Sequence, residues 1–241
     1  RVQITNNRTI NLFPSWNRDG RSLFFTSYKG GSPMLYLFNV FSGKEVKFST
    51  QEGSNLGGKW SPDGKLVAVS IERQGNADIY LLDQSGKLVR RLTNDPGIDV
   101  SPSWAPDGNR LAFVSNRSGS PQIYIMELSS GKTTRLTFSG SYNTSPDWSP
   151  KGDKIAYTSR IDGRFDIFVI SSDGGDPQRL TANARDNEDP AWSPDSRFLV
   201  FSSNRRGNYQ LYTMQANGES QQRLTASGGD DTQPSWSPRI E

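Results

Sequence analysis

The sequence predicts an all-β chain assembled from one small repeated unit, and three observations carry that prediction. The six tryptophans stand at 16, 60, 104, 148, 192 and 236, and every interval is 44 residues. Apolar residues fall in short runs rich in Ile, Val, Phe and Tyr, bounded by Gly, Pro, Asn, Asp and Ser, as strands joined by turns require. The same turn chemistry returns at the same phase of each unit. A repeat of this length marks small supersecondary units, none of which buries its apolar face alone.

Each element follows from its residues. Pro14, Pro102, Pro146, Pro190 or Pro234 precedes the Trp by two positions (Gly58 in the second unit), which marks a first strand. After it come Ser-Pro-Asp-Gly turns such as Ser61-Pro62-Asp63-Gly64, where Pro presets φ and Gly accepts a positive φ. The second strand reads Leu111-Ala112-Phe113-Val114-Ser115 or Ile155-Ala156-Tyr157-Thr158-Ser159. A polar loop with Gly at one phase (Gly31, Gly75, Gly119, Gly163, Gly207) leads to a third strand, as in Ile79-Tyr80-Leu81 and Ile123-Tyr124-Ile125. A Gly-bearing turn then leads to Arg91-Leu92-Thr93, Arg135-Leu136-Thr137, Arg179-Leu180-Thr181 or Arg223-Leu224-Thr225, a short fourth strand. Four antiparallel strands per unit is the blade of a β-propeller. Helical hairpins are excluded, because the runs are short, β-branched and aromatic.

The phase of the repeat predicts a single propeller domain over 1–241, with complete blades at 13–49, 57–93, 101–137, 145–181 and 189–225. Residues 1–5 match a fourth strand and 233–238 a first strand, so the two ends are expected to share a partial sixth blade on a six-bladed plan. Its other strands are expected upstream, and the open sheet edge invites strand exchange with another chain.

Composition narrows the chemistry. Apolar residues make up 32% and mean hydropathy is −0.70, low enough to raise disorder, but their clustering argues for ordered strands. The net charge of +3 is a mixture of both signs without a basic block, so nucleic acid is not indicated. No apolar stretch approaches the roughly 18 residues of a membrane span. Without Cys there is no disulfide framework, and without His the common general base and His-based zinc sites are missing. No nucleophile elbow or phosphate loop is present, so the chain is read as non-enzymatic.

The unit P-x-W-S-P-D-G-x-x-(L/I)-A-(F/Y)-x-S-N-R, continuing to (I/L)-Y and R-L-T, resembles the TolB-type propeller repeat of the Tol–Pal system. The resemblance runs the whole length. It implies a periplasmic docking propeller that follows an N-terminal α/β domain and a signal peptide, neither expected within this chain. The implied partner is the peptidoglycan-associated lipoprotein Pal, with TolA and colicin-type segments as further partners. Similar repeats gate serine peptidases of the prolyl oligopeptidase kind, and a gating propeller without its hydrolase domain is the alternative.

By that resemblance the partner surface is the loop before each Trp at the channel mouth: Ser54, Asn55 and Gly57; Asp99 and Ser101; Tyr142, Asn143 and Thr144; Asn187, Glu188 and Asp189; and Asp231. The residues themselves add that Asn11, Asn55, Asp99, Asn143, Asn187 and Asp231 share one phase, five before each Trp. Two readings stay open: a polar collar receiving peptide groups, or Asx side chains bonded to nearby backbone. Asp186, Asp189, Asp230 and Asp231 are weak candidates for Ca²⁺ in the channel, since oxygen ligands suit a hard cation; otherwise no cofactor is expected. Arg73, Arg117, Arg160 and Arg205-Arg206 lie on the loop after the second strand, and Arg205-Arg206 is singled out as the exposed pair. The six Trp are read as structural wedges.

Overall fold

The computed structural model describes residues 2–182 and 185–238. Among these residues the strands form five four-stranded antiparallel sheets, each a propeller blade. They are β1 (Asn11–Trp16), β2 (Ser22–Gly30), β3 (Ser32–Asn39) and β4 (Glu45–Lys47); β5 (Ser54–Trp60), β6 (Leu66–Arg73), β7 (Asn76–Asp83) and β8 (Leu88–Arg91); β9 (Asp99–Trp104), β10 (Arg110–Ser115), β11 (Gln122–Glu127) and β12 (Thr133–Arg135). The last two sheets hold β13 (Asn143–Trp148), β14 (Lys154–Ile161), β15 (Arg164–Ser171) and β16 (Gln178–Arg179); then β17 (Asn187–Trp192), β18 (Phe198–Ser203), β19 (Gln210–Gln215) and β20 (Gln222–Arg223). Strands adjacent in sequence are adjacent in every sheet.

Each first strand begins at or next to the Asn or Asp five residues before its Trp, earlier than the sequence boundaries suggest. Two residues past each of these Asx positions the backbone turns left-handed, at Phe13, Gly57, Ser101, Ser145 and Asp189 (φ between 50° and 60°). In β1, β5, β13 and β17 the register with the next strand shifts across this residue, so it is a β-bulge. The fourth strands end at Lys47 or at Arg, before the Leu-Thr expected to belong to them. The reason is local: the hydroxyls of Thr93, Thr137, Thr181 and Thr225 accept the N–H of Ile79, Ile123, Ile167 and Leu211 at 2.9 Å, a place a ladder carbonyl would otherwise hold. The segments Val2–Thr5 and Pro234–Pro238 are not in strands.

The chain divides into two compact units, with the boundary at Pro102–Ser103 inside β9. In the first unit, Phe24, Leu35, Val67, Val69, Ile71 and Leu82 pack from both sheets into one core, where Trp60 stacks on Phe24 at 5.0 Å. In the second, Ile167, Val169, Leu199, Phe201, Tyr212 and Met214 surround Trp192. Trp104, Trp148 and Trp192 are buried, and Trp192 donates its ring N–H to Asp147 O at 3.1 Å across the blade gap. Trp16, Trp60 and Trp236 are only partly buried.

Candidate functional site

The bulged starts of the first strands assemble the candidate site. Asn55, Asp99, Asn143 and Asn187 have no exposed surface. In the second unit, Asn187 Nδ2 donates to Asp166 Oδ1 at 2.9 Å, and Arg205 donates to Asn187 Oδ1 at 2.7 Å. Asp166 also receives Thr181 Oγ1 at 2.6 Å and Arg179 at 2.5 Å. Asn143 repeats this with neutral partners, donating to Gln122 Oε1 at 2.7 Å and to Ser139 O at 2.8 Å, while Thr137 Oγ1 donates to the same Gln122 oxygen. In the first unit Ser49 Oγ donates to Asn55 Oδ1 at 2.5 Å. The side chains of Asn55, Asn143 and Asn187 therefore join their blades to the preceding ones. Burial makes these four members of the row structural, and the bonds of Asn55, Asn143 and Asn187 run to side chains and backbone carbonyls rather than to backbone N–H groups.

Sequence reading missed the partners. Asp78, Gln122, Asp166 and Gln210 precede the Ile-Tyr, Ile-Phe or Leu-Tyr of the third strand at a constant phase, a polar residue where a core position is expected. That signal was available. A second row was also unread: Thr26, Ser70, Thr158 and Ser202 use side-chain oxygens to accept the N–H of the left-handed residues Gly57, Ser101, Asp189 and Gln233 at 3.0–3.2 Å. Val114 stands where the third blade would place such a hydroxyl.

The bulge directs the two residues after each buried Asx to the same side. Thr144 and Ser145, like Glu188 and Asp189, are half-buried, as are Gly57 and Ser101 in their own sheets, and Tyr142 is exposed. Ser54 donates to Glu72 Oε2 at 2.9 Å. Ser145 Oγ donates to Asp189 Oδ1 at 2.8 Å, and Tyr209 O–H to Glu188 Oε1 at 2.5 Å. Burial raises the carboxyl pKa of both Glu188 and Asp189 above the usual range; for Glu188 the nearby Asp189 and Asp186 push the same way. Asp186 and Asp230 accept the backbone N–H of Phe165 and Tyr209, and Asp231 receives Ser227 Oγ at 2.8 Å. Among the described residues, no three of these carboxylates group as a metal cage.

The arginines divide. Arg73, Arg117 and Arg205 lie over Tyr80, Tyr124 and Tyr212, with the guanidinium 5.4, 5.0 and 4.4 Å from the ring centres. Arg160 sits 5.8 Å over Phe165, whose edge meets Tyr142 at 6.0 Å. Of the pair expected to be exposed, only Arg206 is. Arg205 is half-buried because its fork is used up on Ser203, Gln221 and Asn187.

The model of the TolB beta propeller domain matches residues 1–240. Curated relatives include the Tol-Pal system protein TolB of Desulfosudis oleivorans, 46% identical over 54 residues, which are 22% of this chain and 12% of that protein. Another is the protein TolB homolog of Chlorobaculum tepidum, 44% identical over 45 residues, 19% of this chain and 10% of that one. Among solved structures, TolB from Acinetobacter baumannii superposes with a TM-score of 0.90 at 31% identity, covering 98% of this chain and 59% of that chain. Matches to an oligogalacturonate lyase in complex with manganese, at 17% identity and a TM-score of 0.65, share the fold alone. With that family model matching nearly the whole length, the chain belongs to the TolB β-propeller domain family.

Proposed function

We propose that this chain is a non-enzymatic docking propeller of the Tol–Pal envelope system, working in the periplasm without a cofactor. Its partner is a Pal-like lipoprotein, with TolA or colicin-type peptide segments as further ligands. The observation that carries this reading is the bulged strand start: Asn55, Asp99, Asn143 and Asn187 are buried, and the next two residues are half-exposed on a hydrogen-bonded frame. In the second unit these are Thr144-Ser145 and Glu188-Asp189, flanked by exposed Tyr142 and Arg206. Tyr and Arg are the residue types that concentrate binding energy at interfaces. Family membership and the similarity to the Tol-Pal system protein of Desulfosudis support it. The puromycin hydrolase match, at 14% identity, is a likeness of fold and does not favour a peptidase propeller.

We propose further that Asp231–Trp236 is the first strand of a sixth blade. Gln233 repeats the left-handed bulge, donates its N–H to Ser202 Oγ at 3.1 Å, and Trp236 donates to Ala191 O at 3.0 Å, as Trp192 does to Asp147.

Calorimetric titration with soluble Pal tests the docking role. Saturable binding is expected, with Tyr142→Ala and Thr144→Ala weakening it and Asp173→Ala, in the β15–β16 turn, leaving it unchanged. No heat of binding from a chain that unfolds cooperatively overturns the reading. Buried Asn143 is a poor probe, because removing it perturbs the frame.

A further inference from the structure

Within the second unit the fourth blade meets a neighbour on each side, and both seams use the same phases of the repeat. Between the fourth and fifth blades, polar ties run from one end of the first strand to the other. At the mouth, Asn187 Nδ2 donates to Asp166 Oδ1 at 2.9 Å and Asp189 N–H to Thr158 Oγ1 at 3.1 Å. Arg205 holds the Asn187 amide from its other side at 2.7 Å. At the far end, Trp192 gives its backbone N–H to Asp147 Oδ2 at 2.7 Å and its ring N–H to Asp147 O at 3.1 Å.

The seam between the third and fourth blades keeps one end of that pattern. Its Trp end is pinned. Trp148 N–H donates to Ser103 Oγ at 2.9 Å, the Arg110 guanidinium lies 5.0 Å over the Trp148 ring, and a Cβ at Gly152 would meet Pro106 at 3.1 Å. The mouth end is held less firmly. Val114 stands where a hydroxyl would receive Ser145 N–H, and Ile161 stands where an arginine would hold the Asn143 amide. Among the described residues Asn143 Oδ1 is buried without a partner. What remains is neutral: Asn143 donates its side chain to Gln122 Oε1 at 2.7 Å and its backbone N–H to Pro121 O at 2.9 Å, and Gln122 Nε2 reaches Gly140 O at 3.3 Å. Bonds to a neutral acceptor are weaker than bonds to a carboxylate such as Asp166. A buried acceptor without a donor recovers its hydration when the seam opens, which favours the open form.

The segment at this mouth is fastened to the blades after it. Arg160 N–H donates to Tyr142 O at 2.9 Å, and Ser145 Oγ to Asp189 Oδ1 at 2.8 Å. If the seam parts, Tyr142 to Ser145 therefore leave the third blade together.

We propose that the seam between the third and fourth blades is a hinge, shut at Trp148 and opening at Asn143–Ser145. The contacts to Pro121 and Gln122 break locally while the sheets on either side stay folded. Opening bares the Gln122 and Asn143 amides and moves Tyr142 and Thr144 as one piece. Only the consequence for docking rests on the Pal reading: the partner meets a mouth whose Tyr142–Thr144 edge adjusts to it.

The test is amide hydrogen exchange of the free chain, followed residue by residue by NMR and expressed as protection relative to the unfolded rate. Asn143 and Ser145 should be about tenfold less protected than Asn187 and Asp189, with Trp148 and Trp192 alike. Val114→Thr offers Ser145 its missing acceptor and should slow Asn143 severalfold, although the bonds of Asn143 itself are unchanged. Thr158→Val removes the corresponding acceptor from the next seam and should speed exchange at Asn187. This second variant covers the case in which Val114→Thr does not fold. Equal protection at the two mouths would overturn the hinge, as would a Val114→Thr effect confined to Ser145. Trp148 exchanging as fast as Asn143 would also overturn it, since the seam would then part along its whole length. Calorimetry with Pal is a separate measurement, so the docking reading and the hinge can fail independently.

Discussion

Asn143 and Asn187 occupy the same phase of consecutive repeats, yet their oxygens fare differently. Asn187 Oδ1 receives Arg205 at 2.7 Å, whereas Asn143 Oδ1 is buried with no hydrogen-bond partner. The residue 44 positions before Arg205 is Ile161, so the guanidinium is missing where the amide needs it. An unsatisfied buried acceptor costs about 1–3 kcal/mol. Ile161→Arg, stacking on Phe168 as Arg205 does on Tyr212, should therefore raise unfolding stability by about 1 kcal/mol, read by urea titration. An unchanged or lower midpoint would count against this account. Glu188 makes a pH prediction. Burial first, then Asp189 and Asp186, raise its folded pKa above the unfolded value of about 4.3. The folded state thus binds more protons between those two values, and wild-type stability falls as pH rises through them. Glu188→Gln keeps an acceptor for Tyr209 and removes the charge. It should be more stable than wild type above the raised pKa and converge with it below about pH 4. Equal stability at all pH values would show that the charge is not strained.

At the scale of the element, the first strand is the unit of joinery. Its bulge residue adopts a left-handed φ that costs a non-glycine residue of order 1 kcal/mol. What offsets it is contact with the preceding blade: a hydroxyl receives the bulge N–H at Thr26, Ser70, Thr158 and Ser202. Thr158→Val keeps the shape and deletes the acceptor, so it should cost about 1–2 kcal/mol in chemical denaturation. Val114→Thr supplies the acceptor that the third blade lacks and should gain about 1 kcal/mol. Opposite signs for this pair are the test; a loss in both would mean that burying the hydroxyl outweighs the bond. The second and third strands were fully legible in the sequence, because alternation and turn residues speak for themselves. The ends of the first and fourth were not. Side-chain hydroxyls and Asx groups there replace ladder bonds, and no propensity reports a bond made to a residue fourteen or more positions away in sequence.

For the whole molecule, stability rests on repeated interfaces rather than one central core, as in other arrays of equal units. Trp192 is the clearest case, buried with its ring N–H satisfied by the neighbouring blade, whereas Trp16 is only half-buried. Trp192→Ala should cost about 3–5 kcal/mol and Trp16→Ala distinctly less, measured as shifts in the urea midpoint. Equal costs would deny that the wedges differ with their burial. The positions proposed to face a partner follow the same architecture: Asn55, Asp99, Asn143 and Asn187 are buried in the frame, and the two residues after each are half-buried.

From the sequence by itself come the 44-residue period, the four-stranded antiparallel blade, the wedge role of the tryptophans and the family, because a repeat without insertions exposes every phase to comparison. The tertiary structure alone decides which polar residues are structural. Asn143 and Thr144 are adjacent and equally polar in sequence, yet the bulge sends the first into a buried network and leaves the second half-exposed. A one-residue change of face inverts a side chain's environment, and the bulge that causes it is stabilised by groups from the preceding repeat.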